Sequence, residues 1–394
     1  MSTQVPKGFR LAVAEAAFKK AERKDLALAL SDFPAASAGV FTTNLFKAAP
    51  VLVGRELLDE RRFARAVLIN SGQANACTGP AGIARCRESL ALVGSALDLE
   101  AADILPASTG VIGVQIDLEA FAGAVPKLVQ NLGKAGIEDF AAAIMTTDAF
   151  PKFCGERLDF SGKKVLLAGV AKGAGMICPN MATMLSAVFC DAEVRSEDWR
   201  EMFKRTVERS FNRVTVDDDT STNDTLYGLA NGASGAKVEG QALHKLEEAL
   251  VRVLEDLAYK LVQDGEGATK VMHIRVRGAA SRSDAEAAAR TVGRSQLVKT
   301  AMYGRDANWG RVICALGRSG ADFNPEEVSF ALCGLTLFRD GQPVDTNFDA
   351  LLKDALEKRD LALDISLGGG PGEYLLLASD LGHEYVSVNA DYRS

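Results

Sequence analysis

KVLLAGVAKGAGMICPN (164–180), followed directly by MATMLSAVFCDA (181–192), decides the fold. An apolar run ends in a Gly-rich, Pro-stopped turn and a second apolar run resumes at once. That pattern predicts a strand, a tight loop and another buried strand. Upstream, residues 137–145 read as a helix running into TTD at 146–148. PASTGVIG (106–113) reads as a loop of small hydroxyl residues and Gly. Residues 81–97 carry Ile83, Leu90, Leu92, Val93 and Leu97 at roughly helical spacing. AVLINSG (66–72) is a buried-strand pattern ending in a Gly turn, while DLALAL (25–30) and AGVFTTN (38–44) read as two strands. Downstream, 241–263 is the longest helix, with Leu243, Leu246, Leu250, Val253, Leu254, Leu257 and Leu261 on one face. Gly265 and Gly267 end it, TKVMHIRV (269–276) follows as a strand, and short strands and helices alternate from there. The class is mixed α/β, without an internal repeat.

At 394 residues the chain exceeds the size at which one core keeps growing, so two lobes are expected. Hydrophobic residues at 47% and charged residues at 25% are the balance of a soluble globular protein. A net charge of −7 without any Lys/Arg run argues against a nucleic-acid partner. Seven cysteines without a CxxC pair fit a reducing compartment better than a disulfide framework. No apolar leader or membrane-length stretch is seen, so the expectation is a cytoplasmic protein with no membrane partner.

His244, His273 and His383 lack metal-site spacing and read as structural, so no metal is expected. No GxSxG elbow is present, and SLGGGPGEY (366–374) lacks the GK[ST] that completes a phosphate loop. It reads as a glycine turn between strands. KGAGMICPNMATML (172–185) is different. By composition Thr183 reads as a core threonine bonding a nearby carbonyl. A threonine at a loop-to-strand junction can also attack the preceding carbonyl and become a new N-terminus. Its freed α-amino group, with a reference pKa of about 7.7–8.0, then serves as base for its own hydroxyl without any histidine.

These residues resemble the ornithine acetyltransferases, also called glutamate N-acetyltransferases. PKGF (6–9), RKDLAL (23–28), AGVFTTN, INSGQANACTG (69–79), PASTGVIG, IMTTD (144–148) and KGAGMICPNMATML carry the likeness. FNRVTVDDDTSTNDT (211–225), DGEGATK (264–270), GRDANWGR (304–311) and VNADYRS (388–394) continue it, so it covers almost the whole chain. The resemblance implies a two-lobed α/β fold of that type, cut between Ala182 and Thr183 into an α chain (1–182) and a β chain (183–394). It implies that the two pair as a heterodimer and assemble as an α2β2 heterotetramer.

The implied reaction moves acetyl from N2-acetyl-L-ornithine to L-glutamate through an acetyl ester on Thr183. Thr109 and Gly110 are implied as the oxyanion hole. Thr146, Lys172, Thr183, Glu266, Asn389 and Ser394 are implied as substrate-binding positions. No cofactor is implied, and acetyl-CoA stays open as a second donor. Rival readings are a self-cleaving aminopeptidase or amidase, in which water is the acceptor, and an unprocessed amino-acid-binding protein. Two positions depart from, or need comment against, the family pattern: Asp218 stands where Gly is expected, and Cys178, at a variable position, reads as a small packing residue.

Overall fold

A computed structural model describes residues 3–18, 21–178 and 184–391. Ala182, Thr183 and Ser394 lie outside the described residues. The chain divides into two compact units, one of residues 1–212 and 219–261, the other of 213–218 and 262–393.

The strands up to residue 230 are β1 (Phe9–Ala14), β2 (Leu26–Phe41), β3 (Phe63–Gln73), β4 (Ile104–Val111), β5 (Lys152–Phe160), β6 (Lys163–Lys172), β7 (Leu185–Cys190), β8 (Val214–Thr215) and β9 (Thr225–Ala230). All but β8 form the sheet of the first unit, in the order β4-β3-β2-β9-β7-β6-β5, with β1 also paired to β2. Its helices are α1 (Ala49–Glu60), α2 (Gly79–Leu97), α3 (Leu118–Gln130), α4 (Ile137–Ala143), α5 (Ser196–Arg209) and α6 (Ala242–Gln263).

Every residue of β7 and β9 is buried, as continuous apolar strands covered on both faces must be. Gly228, Val188 and Gly169 lie side by side on one face by register. A Cβ on Gly228 would stand 2.4 Å from the Phe203 ring of α5, and one on Gly169 would stand 2.8 Å from Leu257 of α6. Here the missing side chains let two helices approach the sheet closely. On the other face Phe189 meets Phe140 of α4 at 5.9 Å, and the Tyr227 hydroxyl reaches Gly54 of α1. The amphipathic face read in the long helix is this buried surface, from Leu246 to Leu261, with Leu243 half-buried at its start.

Two expectations change. DLALAL and AGVFTTN are not separate strands but the two halves of the 16-residue β2. Ser31 donates to the Phe33 carbonyl at 2.7 Å and Pro34 has no N–H, so the register against β3 slips between Leu30 and Ala35 while the strand continues. PASTGVIG is not a loop as far as Val111, because β4 pairs in parallel with β3 from Ala66↔Ile104 to Gln73↔Val111. Pro106 is tolerated because β4 closes one end of the strand order.

The second unit adds β10 (Val271–Ala279), β11 (Ser329–Leu332), β12 (Leu335–Arg339), β13 (Gln342–Pro343), β14 (Asp360–Ser366) and β15 (Gly372–Ser379). Its sheet runs β13-β12-β11-β14-β10-β15-β8. Its helices are α7 (Arg282–Arg294), α8 (Gln296–Tyr303), α9 (Trp309–Gly317), α10 (Phe348–Glu357) and α11 (His383–Asp391). Ser281, Ser295, Asn308 and Asn347 cap α7 to α10 by accepting a backbone N–H from the first turn. SLGGGPGEY is the turn between β14 and β15, as expected. Asp218, expected to be Gly, has a φ of +69°, the left-handed region that glycine adopts without strain, and its carboxylate meets Arg294 Nε at 2.5 Å.

Lys299 is buried in this unit, its ammonium donating to the Ser379 carbonyl and, at 3.1 Å, to the Ser379 hydroxyl. Burial brings its pKa down to about 8, against the opposing pull of Asp380, Asp217 and Asp218. The unfolded lysine titrates near 10.4, so from about pH 8 upward the unfolded chain binds more protons than the folded one. Folding stability contributed here therefore rises with pH across that window. Urea unfolding at pH 7 and pH 10 should show the native chain gaining on the order of 2–3 kcal/mol relative to Lys299→Met. A flat or falling difference would contradict the assignment.

Candidate functional site

Four of the implied site residues come together in the first unit. Thr109 and Gly110 directly precede Val111, the last residue of β4, and are set beside Ser71 and Gly72 of β3. Gly110 has a φ of +135°, and a Cβ there would lie 2.2 Å from the Gly72 carbonyl carbon and 2.5 Å from Gln73 N. Only glycine fits. The strand end is held from behind by amides and hydroxyls. Ser108 donates to Asn70 Oδ1 at 2.5 Å, and Asn223 Nδ2 donates to the Ser108 and Ala74 carbonyls at 2.8 and 2.6 Å. The fully buried Tyr227 hydroxyl donates to the Pro106 carbonyl at 2.9 Å.

Lys172 ends β6 and is 6% exposed, with Nζ donating to Thr109 Oγ1 at 3.3 Å. A threonine hydroxyl has one proton and two lone pairs. With Lys172 on a lone pair, the Thr109 proton is turned toward other acceptors and the oxygen is polarised. Thr146 follows α4 and is half-buried, its N–H donating to Asp148 Oδ2 at 2.9 Å. Asp148 Oδ1 accepts from Lys152 Nζ and from Gly173 N, both at 2.6 Å. Burial pushes the Asp148 carboxyl up, but Lys172 and Lys152 outweigh it and hold the pKa down at about 2. Such a cluster, with a net positive charge and an oriented hydroxyl, can bind a carboxylate and steady a developing oxyanion.

Glu266 and Asn389 belong to the second unit. Asn389 Nδ2 donates to Glu266 Oε2 at 2.8 Å and to the Tyr385 carbonyl at 2.9 Å. Thus α11 carries Asn389 onto the turn that holds Glu266. His383, read as lying in a turn, is instead the first residue of this helix. Cys178 is buried, in keeping with a packing role. Among the described residues no group of three or more His, Cys, Asp or Glu is arranged to hold a metal, and no helix is long and apolar enough to cross a membrane. Two cavities of about 520 and 310 Å³ are lined by residues such as Lys47 and Lys204, and Arg275 and Arg277, and contain none of these site residues.

Sequence reasoning missed Asp148, Lys152, Asn70 and Asn223. Asp148 lay inside the quoted IMTTD, but nothing in the sequence marks it as buried.

A two-sheet α/β protein whose glycine-shaped strand end meets a buried lysine has a site whose chemistry suits an anionic, carbonyl-bearing ligand. The sequence model of the ArgJ family matches residues 10–394. The chain is 62% identical to the arginine biosynthesis bifunctional protein ArgJ of Nitratidesulfovibrio vulgaris, across 99% of both chains. It is 45% identical to that of Geobacter sulfurreducens, across 98% of this chain and 99% of the relative. The crystal structure of arginine biosynthesis bifunctional protein argJ from Bacillus halodurans superposes with a TM-score of 0.50 and 34% identity, covering 53% of this chain and 100% of the solved one. The chain belongs to the ArgJ family. It is accordingly an acetyltransferase of arginine biosynthesis.

Proposed function

We propose that the chain cuts itself between Ala182 and Thr183 and then shuttles acetyl from N2-acetyl-L-ornithine to L-glutamate on the Thr183 hydroxyl. Thr183 Oγ attacks the acetyl carbonyl carbon while its α-amino group takes the hydroxyl proton. The oxyanion that forms accepts hydrogen bonds from the Thr109 hydroxyl and the Gly110 N–H. Collapse breaks the C–N bond, the α-ammonium returns its proton to the ornithine amine, and ornithine leaves an acetyl ester behind. The glutamate amine attacks that ester by the same route in reverse, restoring the Thr183 hydroxyl and releasing N-acetyl-L-glutamate. Lys172 and Thr146 hold the α-carboxylate common to both substrates, and Glu266, Asn389 and Ser394 are assigned as further substrate-binding residues.

The bond from Lys172 Nζ to Thr109 Oγ1 carries this reading, because it couples a carboxylate-binding cation to an oriented donor at the glycine-shaped strand end. Processing is supported by size: the solved Bacillus halodurans chain matches only 53% of this one at its full length, close to the share formed by residues 183–394. Pairing of the two pieces is supported by β6 and β7. They flank the proposed cut and are joined antiparallel from Lys172↔Leu185 to Leu167↔Cys190. The sheet does not need the covalent link. Two such pairs would assemble as an α2β2 heterotetramer in the cytoplasm. The name bifunctional, borne by both relatives, favours a second activity, for which we assign acetyl-CoA as a second donor. The transfer scheme itself calls for no bound cofactor.

Initial rates at varied acetylornithine and glutamate test the scheme. Parallel double-reciprocal lines are expected of an acetyl group held on the enzyme between two half-reactions. Intersecting lines would exclude that intermediate. Acetyl-CoA in place of acetylornithine should give N-acetylglutamate with the same parallel pattern.

A further inference from the structure

We propose that Asp148 is the positioning residue of this site, clamping the segments that carry Thr146 and Lys172, and that Lys152 supplies its counter-charge. The proposal rests on the reading of Lys172 as the partner of the substrate carboxylate.

The clamp is a matter of geometry. One carboxylate accepts from the N–H of Thr146 itself and from the N–H of Gly173, the peptide directly after Lys172. Thr146 follows α4 and Lys172 ends β6, so nothing in local chain geometry ties them to one another. Both Asp148 and Lys152 side chains are wholly enclosed, which gives the clamp no solvent to exchange with. A buried carboxylate needs a cation, and two lysines act on this one. With Lys152 in direct contact at 2.6 Å, the group of Asp148, Lys152 and Lys172 keeps a net charge of +1. A net positive charge attracts an incoming carboxylate. Without Lys152, Asp148 would neutralise Lys172 instead.

This makes an outcome that a merely structural ion pair would not give. Apparent KM is measured for N2-acetylornithine and for its neutral α-carboxamide, on the full processed protein. The native enzyme should prefer the carboxylate, and Lys172→Met should abolish the preference. Lys152→Met should raise KM for acetylornithine about tenfold while leaving the carboxamide nearly unchanged. Asp148→Asn combined with Lys152→Met removes the whole buried pair, a replacement that proteins often tolerate. It should regain most of the carboxylate preference, because Lys172 again keeps its charge, even if the single lysine variant fails to fold. Its kcat should fall on both substrates, because the amide has one acceptor oxygen and releases one of the two clamped N–H groups.

Equal losses on both substrates in Lys152→Met, or a double variant without carboxylate preference, would overturn the counter-charge, and a double variant with native kcat would overturn the clamp. A Lys172→Met enzyme that still prefers the carboxylate would instead overturn the substrate reading beneath it.

Discussion

Thr183→Ala should give a single uncut chain with no acetyl transfer, where the native protein should separate under denaturing conditions into residues 1–182 and 183–394. The same hydroxyl is asked to attack twice, first at the Ala182 carbonyl and later at the acetyl carbonyl. Alanine removes the nucleophile for both. Loss of a covalent nucleophile that works as a unit with its base costs roughly 10⁶ in turnover in well-studied hydrolases. Here the uncut chain also lacks the free α-amino group that would serve as base, so residual activity should be at background. Thr183→Ser keeps a hydroxyl and should still cleave, more slowly. Intact-mass measurement is the check. An alanine variant recovered as two chains split at the same bond would show that Thr183 does not perform the cut.

Gly110→Ala should have the next largest effect, because it fails in two ways at once. A φ of +135° is outside what an L side chain adopts without strain, and the new Cβ would overlap the Gly72 and Gln73 backbone. β3 and β4 must separate at the point where Thr109 and Gly110 present their donors. Loss of one oxyanion donor costs roughly 10²–10³ in kcat, and a shift of about 1 Å in a positioning group costs roughly another 10². A fall in kcat of at least about 10³ is expected, exceeding that of Thr109→Ala, which removes one donor and leaves the backbone in place. Gly123→Ala, at a helix position with open space around it, is the control. Turnover of Gly110→Ala within a few-fold of native would exclude this strand end as the oxyanion hole.

Much of the fold could be read directly. The apolar face of α6 and the uninterrupted apolar runs of β6 and β7 report burial through local periodicity alone, and the structure bears all three out. Motifs in family order located Thr109, Gly110, Thr146 and Lys172, and the structure gathers these four in one unit. PASTGVIG reads as a loop because its small hydroxyl and glycine residues have turn-like propensity. Its strand conformation comes from parallel pairing with β3, a partner reached only through α2. β2 reads as two strands for a related reason, since a bulge interrupts the alternation without ending the strand.

The sequence by itself determined the family and the spacing of β6 and β7. Each of these depends on residues close together in the chain, where periodicity and motif order carry the information. Only the tertiary structure decided that Gly110 must be glycine, that Lys172 caps Thr109, and that Asp148 and Lys152 form a sealed ion pair linking Thr146 to Lys172. Those facts depend on close approach between segments far apart in the chain. A buried aspartate and an exposed one are spelled alike, and the burial of this charge follows from the packing of β6, α4 and the strand after it.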